Sequence, residues 1–586
     1  MFGKIKYIGE GSIVVETNEE ANKSNILNLH VVIYDKEKFI LGEVSSVGEK
    51  EAKINLLGEF EGANFRQGIL RKPNFQAETR AILKEEIPLI LGVDSSETLL
   101  LGRSPLYNGH SVYFNLNNFF SNHFAIIGNS GSGKSWAIAR LIQNVFSNPH
   151  IKPYRSNFIF FDVSGEYTKA FSSLKSIDPN YNYRVLTTGS SKDTYMEGFK
   201  IPIHLLGVNG LAMLLQVSST SQIPIIKQMV KYARIFAEQK EDETYMNHIL
   251  ASAILKVLYS ESSPSKKKND AIALIMGNPT KAINSDTDVP GIGYTRKFHE
   301  CFYVDKHGTF TEGNILTEYI QKFIKPELDN YEPNPNTVYN LEHLRKALQF
   351  TLITDGWYNN PNTYGDAALI SVRFNDIING PYKKIFEIGA SLNKEQYLSS
   401  LLIKGSNKYQ ILNINLEDTD DWFASVITKV FAGMILEYTK SLAIKGSVPF
   451  HMIVDEAHRY IKKNDPEQDI YGYNIFERVA KEGRKFGTML GIITQRPVEL
   501  SDTVISQCSN FLIFRTNHPL DAKYVRDMVP NISEEIAEKQ KTLQSGTCIA
   551  FGSAFKIPVI TTLEKPNPEP LSSNSDVSKF WTYNTK

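Results

Sequence analysis

Eight residues with the spacing of a phosphate-binding loop, GNSGSGKS from Gly128 to Ser135, carry the strongest chemistry in this chain. Glycines at such positions let successive backbone N–H groups turn inward on phosphate oxygens, and a following helix adds its positive end. Lys134 neutralises the β and γ phosphates and Ser135 supplies a hydroxyl for Mg²⁺. ATP with Mg²⁺ is therefore the expected cofactor, bound by Gly128, Asn129, Ser130, Gly131, Ser132, Gly133, Lys134, Ser135 and Trp136. A second cluster, PFHMIVDEAHR from Pro449 to Arg459, reads as a buried strand delivering two carboxylates at its C-terminal end. There Asp455 would hold the Mg²⁺ shell and Glu456 would polarise the attacking water, so the pair of motifs points to hydrolysis rather than nucleotide storage.

Three weaker clusters surround these. FFDVSGEY places Asp162, Glu166 and Tyr167 just after another buried strand, where Glu166 can stand near the attacking water or help shape the metal site. TMLGIITQRP ends a strand in Thr494, Gln495 and Arg496, and Gln495 is the candidate sensor of the γ-phosphate. ERVAKEGRKFG offers Arg478, Arg484 and Lys485; Arg484, ahead of Arg478, is the candidate for a cation reaching into a neighbour's site. The run Lys266–Lys268 reads as a solvated loop.

The elements that position these groups follow from hydrophobic periodicity. Residues 1–95 carry short β-rich runs such as GSIVVET and EAKINLLGEF between turn residues, the pattern of a small all-β barrel. Residues 96–206 open an α/β core: HFAIIG, the phosphate loop, the helical stretch SWAIARLIQNVF and the strand FIFFD. The strand IPIHLLG closes this part, and 207–404 become helical, with apolar residues three and four apart. Strands resume over 405–563 and complete the core. The fold class expected is thus α/β: a RecA-like P-loop core with an N-terminal β-barrel and an inserted helical domain. The tail 564–586 is rich in Pro, Ser and Asn and is expected to be extended rather than packed, although its end, Phe580, Trp581 and Tyr583, is unusually aromatic.

Composition narrows the class. Lys plus Arg and Asp plus Glu are both 64, so nothing advertises nucleic-acid binding over the whole surface, and any such contact must be local. Cys301, Cys508 and Cys548 are far apart, with no CxxC pair, which argues for core thiols in a reducing cytoplasm. No stretch reaches the ~18 apolar residues of a membrane span.

With those residues in view, the chain resembles the HerA family of FtsK-related hexameric DNA translocases. The resemblance rests on order: a β-barrel, HFAIIGNSGSGKS, FFDVSGEY, IPIHLLG followed by a helical insertion, MIVDEAH, EGRKFG, ITQRPVELS and GTCIAFGSAFKIPV. One departure is Val163 and Ser164 where family members often show Pro-His. The resemblance implies a homo-hexameric ring with ATP at subunit junctions and double-stranded DNA in a central pore. It also implies a partner, a nuclease or a sirtuin-like NAD-hydrolysing effector, docked on the barrel side, in DNA end processing or phage defence. A hexameric scaffold that regulates such a partner with little translocation of its own is the alternative. A conjugative pump would need a membrane anchor, and no LSGGQ-like signature marks an ABC or SMC-type ATPase.

Overall fold

The computed structural model describes residues 2–581 apart from 19–25, 37, 63, 190–193, 239–242, 307–308, 355–360, 389–390, 464–473, 529–537, 573–576 and 578–580. Phe580 and Tyr583 of the aromatic tail end lie outside the described residues. The chain forms two units, one holding the N-terminal sheet and the α/β core, the other built on Gly198–Ser399.

The N-terminal strands are β1 (Phe2–Ile8), β2 (Ser12–Thr17), β3 (His30–Asp35), β4 (Lys38–Val47), β5 (Glu51–Glu61), β6 (Asn64–Gln67) and β7 (Glu78–Ala81). They pair in the order β1-β2-β5-β4-β3-β7, with β6 added on β5, so β1 and β7 end the path and the sheet is an antiparallel half-barrel. Alternation decides its inner face: Ile13 and Val15 of β2 and Ile54 of β5 meet Ile33 of β3 in one core, while Val14 and Lys53 lie on the opposite face.

The second sheet takes β8 (Thr98–Arg103), β9 (Ser111–Asn115), β10 (His123–Ile127), β11 (Phe158–Asp162), β12 (Tyr183–Thr187) and β13 (Met196–Gly198). Two short hairpins stand outside it, β14 (Asp288–Pro290) with β15 (Thr295–Lys297) and β16 (Ile403–Lys404) with β17 (Asn407–Lys408). It is completed by β18 (Ile411–Asn415), β19 (Phe450–Val454), β20 (Thr488–Thr494), β21 (Cys508–Ile513), β22 (Thr547–Gly552) and β23 (Val559–Thr562). The order is β13-β12-β18-β11-β19-β20-β10-β21-β22-β23-β8-β9. From β12 to β21 every pairing is parallel, and from β21 to β9 antiparallel. The parallel strands β10, β11, β18, β19 and β20 are buried at every residue, as expected of strands covered on both faces. Their C-terminal ends fall on one edge, so the phosphate loop after β10 and the acids after β11 and β19 are brought together by register alone.

Three local expectations are corrected. IPIHLLG is not a strand: Ile203–Leu206 is a 3₁₀ turn, and Ile201 N–H donates to Ile385 O inside the helical unit. Pro202 has no N–H to give a ladder, and burial of Ile201, Ile203, Leu205 and Leu206 explains why the run looked strand-like. The helical unit accordingly spans 198–399 against the expected 207–404. Lys266–Lys268 lie on the helix Pro264–Gly277, which starts with Pro at its first position and buries Ala271, Leu274 and Ile275. Lys267 Nζ donates to Leu258 O at 2.7 Å, and Lys268 stands over the Tyr303 ring. The tail is extended but packed as far as Ser572, on the helix Lys134–Ser147.

Candidate active site

The loop between β10 and the helix Lys134–Ser147 is pinned to the ends of neighbouring strands. Asn129 N–H donates to Arg515 O (2.9 Å) beyond β21, Gly128 N–H to Thr494 O (3.3 Å) at the end of β20, and Gly546 N–H to Ser132 O (2.9 Å). Gly133 adopts φ 108, a left-handed conformation that only glycine takes without strain, and it turns the chain into the helix. Lys134 folds back over the loop, its Nζ 3.0 Å from Asn129 O. Burial lowers the pKa of Lys134, while the carboxylates of Glu456, Asp455 and Glu166 pull it back up. One lysine thus faces three acids.

At the end of β19, Glu456 sits at φ 44, a conformation that costs a non-glycine residue about 1–3 kcal/mol and clusters at functional sites. Gln495, at the end of the adjacent β20, donates from Nε2 to Glu456 Oε1 at 2.9 Å. The other oxygen, Oε2, is buried with no hydrogen-bond partner, 3.4 Å from His458 Nδ1. Burial holds His458 below its ordinary pKa, which favours the neutral ring, so it does not act as a counter-charge. Asp455 is buried beside Glu456, Asp162 and Glu166, and burial together with those neighbours pushes its carboxyl well above the usual range.

The turn after β11 is set by Asp162. Its carboxyl accepts from Glu166 N–H (3.0 Å), Tyr167 N–H (2.9 Å) and Asn413 Nδ2 (3.0 Å), and burial pushes its pKa up to about 7. With its oxygens engaged, Asp162 shapes the turn rather than the metal site. Gly165 adopts φ 69 there, a left-handed conformation that favours glycine. The turn aims Glu166 and Tyr167 inward: Glu166 Oε2 and the Tyr167 hydroxyl are buried and lack hydrogen-bond partners. The Tyr167 ring is fully buried, its phenol near Asp455, Glu166, Asp162 and Ser135.

Two orphaned carboxylate oxygens, those of Glu456 and Glu166, beside one buried lysine fit a bound triphosphate and its cation. Mg²⁺ usually keeps several waters and needs only one or two protein oxygens beside phosphate. Ser135 and Asp455 would be the residues to hold it, and its charge would offset the repulsion among the acids. No cluster of three His, Cys, Asp or Glu suited to a metal occurs among the described residues. The arrangement can bind phosphate and activate a water through Glu456.

The structure thus gathers Lys134, Ser135, Glu166, Asp455, Glu456 and Gln495 on one edge. Arg484 is not among them. It lies on the 3₁₀ turn Gly483–Phe486 that leads into the start of β20, at the opposite edge of the sheet, exposed and without an ion pair among the described residues. Arg478 pairs with Glu482 at 3.7 Å. Trp136 is half-buried, its Nε1–H donating to Ser572 Oγ at 3.0 Å and its ring facing Lys565. Sequence reasoning missed Asn413 and Gln143. Asn413 did leave a signal, a polar residue in the interior of the run ILNIN, which is buried on both faces; Gln143, on the polar-looking side of its helix, left none.

A parallel α/β sheet whose P-loop strand and acid-bearing strand flank one strand ending in a polar sensor defines a RecA-like P-loop ATPase. Within that class, residues 100–289 match the family model described as helicase HerA, central domain (DUF87). A probable helicase of Methanocaldococcus jannaschii is 23% identical over 586 positions, covering 96% of this chain and 91% of that one. The DNA double-strand break repair helicase HerA of Pyrococcus furiosus is 23% identical over 567 positions, covering 94% and 85%. Among solved structures, VirB4 of Thermoanaerobacter pseudethanolicus matches with TM-score 0.41 and 13% identity, over 81% of this chain and 98% of that one. The central part of this P-loop ATPase is thus similar to the HerA central domain, and nearly the whole chain is similar to these two helicases.

Proposed function

We propose that this ATPase is a motor that moves double-stranded DNA through the pore of a homo-hexameric ring, using Mg²⁺-bound ATP held at subunit junctions. The observation that carries the reading is the position of Arg484. The seven residues of β20 separate it from Gln495, about 20 Å at ~3.3 Å per residue, beyond the reach of an arginine side chain. It is therefore available to a neighbour's site and not to its own. A heterologous ring supplies such a neighbour at every junction. The action on DNA rests on likeness to the repair helicase HerA of Pyrococcus furiosus.

The half-barrel is the proposed dock for a partner effector, a nuclease or a sirtuin-like NAD-hydrolysing enzyme. Tyr7, Tyr34, Phe39, Leu70 and Phe75 are all exposed on it, apolar side chains that a docked partner would cover. Among the described residues no helix is long and apolar enough to cross a membrane, and the cytoplasm is the proposed location.

Mass measurement of the purified assembly together with ATP hydrolysis on duplex DNA tests the motor. The expectation is a six-subunit particle whose turnover rises with duplex and whose DNA affinity falls steeply with salt, without preference for base sequence. A monomer that hydrolyses ATP at full rate without DNA would refute it.

A further inference from the structure

The segment after the last strand crosses the helix of the phosphate loop and ends at the turn that carries Glu166. Glu564 starts it with ion pairs to Arg140 and Arg103. Further along, Gln143, only 5% exposed on that helix, is saturated by main chain from two other parts of the protein. Its Nε2 donates to Ala170 O (2.8 Å) in the Glu166 turn and to Pro568 O (2.9 Å) in the segment, and its Oε1 accepts from Asn567 N–H (2.8 Å). Leu571 N–H then donates to the backbone oxygen of Glu166 itself at 2.8 Å. Ser572 accepts from the Trp136 indole, two residues after Lys134.

We infer that Glu564–Ser572 is a structural wall of the active site, and that Gln143 and the Leu571 N–H are positioning groups that set the Glu166 turn against the phosphate-loop helix. The inference rests on the reading of this site as ATP-hydrolysing. Asp162 holds the Glu166 turn from the sheet side through two N–H bonds. Gln143 and Leu571 hold it from the other side. With only one of these anchors the side chain of Glu166 retains its place in the sequence but loses a fixed distance to Lys134. A catalytic group displaced by about 1 Å loses on the order of 10²-fold in rate. Nucleotide binding, set by the loop and Lys134, is untouched.

The test uses full-length chains carrying Gln143→Met, which keeps the volume and removes three hydrogen bonds, or Leu571→Pro, which removes one backbone donor. Each is made alone and in a Glu166→Gln background, with Glu10→Ala, an exposed residue in the turn between β1 and β2, as control. Both variants are expected to lower kcat by roughly 10- to 100-fold while KM for ATP changes less than about threefold, and the control to match the parent. In the Glu166→Gln background the same changes should cost less than about twofold more, because groups acting through one residue are not additive. Parental kcat in both single variants would overturn the inference. So would an undiminished further loss in the Glu166→Gln background, which would mark a general effect on folding. If Gln143→Met does not fold, Leu571→Pro alone decides, since the latter residue is exposed. A parent chain with no ATP hydrolysis would instead overturn the functional reading on which this stands.

Discussion

Replacing Glu456 by Gln isolates the chemical step from binding. The amide has the shape of the carboxylate, and Gln495 Nε2 can still donate to its oxygen at 2.9 Å, so the strained φ 44 backbone keeps its anchor. What is lost is the basic oxygen, Oε2, now buried and unpartnered. Removal of a positioned general base costs 10²- to 10⁴-fold, about 3–5 kcal/mol of barrier at 1.36 kcal/mol per tenfold. Binding moves the other way. Lys134 faces Glu456, Asp455 and Glu166, and deleting one of these charges relieves repulsion of an incoming polyphosphate by on the order of 1–2 kcal/mol at an effective dielectric near 20. Steady-state phosphate release gives the turnover, and calorimetric titration with ATP and Mg²⁺ gives the affinity. The expected result is turnover below about a hundredth of the parent with affinity equal or tighter. Turnover above about a tenth would refute the assignment of Glu456, and loss of binding would show that its charge holds the loop together.

Lys134→Ala should abolish ATP binding in the same titration, because the remaining groups in its surroundings are acids. Mixed rings of Arg484→Ala and Lys134→Ala subunits should recover part of the hydrolysis that neither has alone, since the intact finger of one subunit would serve the intact loop of the next; no recovery in assembled mixed rings would move the role elsewhere. His451 is fully buried with its pKa pushed down to about 4, so its neutral form stabilises the fold above its ordinary 6.5, and this is lost as pH falls toward 4. The penalty is about 2 kcal/mol at pH 5 and near zero at pH 7.5. His451→Phe forfeits one bond to Phe120 O but also an orphaned Nδ1. Thermal unfolding should therefore find the variant within about 1 kcal/mol of the parent at pH 7.5 and more stable at pH 5. A variant less stable than the parent at both pH values would contradict it.

Much of the core was legible because its signals are local. A phosphate loop needs glycines and a lysine within eight residues, and a strand buried on both faces is mostly apolar, so HFAII, FIFFD and FHMIV reveal both the motifs and the sheet. IPIHLLG failed because a buried apolar run reads alike in a strand and in a 3₁₀ turn, and only Pro202 argued against the ladder. The lysine run failed because a Pro at the first helical position is also a turn signal.

By itself the sequence singled out which residues to propose for the chemistry: Lys134, Ser135, Asp455 and Glu456 stand at the spacing of a phosphate loop and an acid-bearing strand end. Tertiary structure decided what those residues face. Gln495 meets Glu456 only because β20 lies beside β19, and Arg484 is barred from its own site only because it stands at the other end of that same strand. Gln143 touches Ala170 and Pro568, partners 27 and 425 residues away. A tail rich in Pro and Ser has too few apolar side chains to announce that it packs. Its contacts are main-chain hydrogen bonds, which every residue type can make, and so composition could not reveal them.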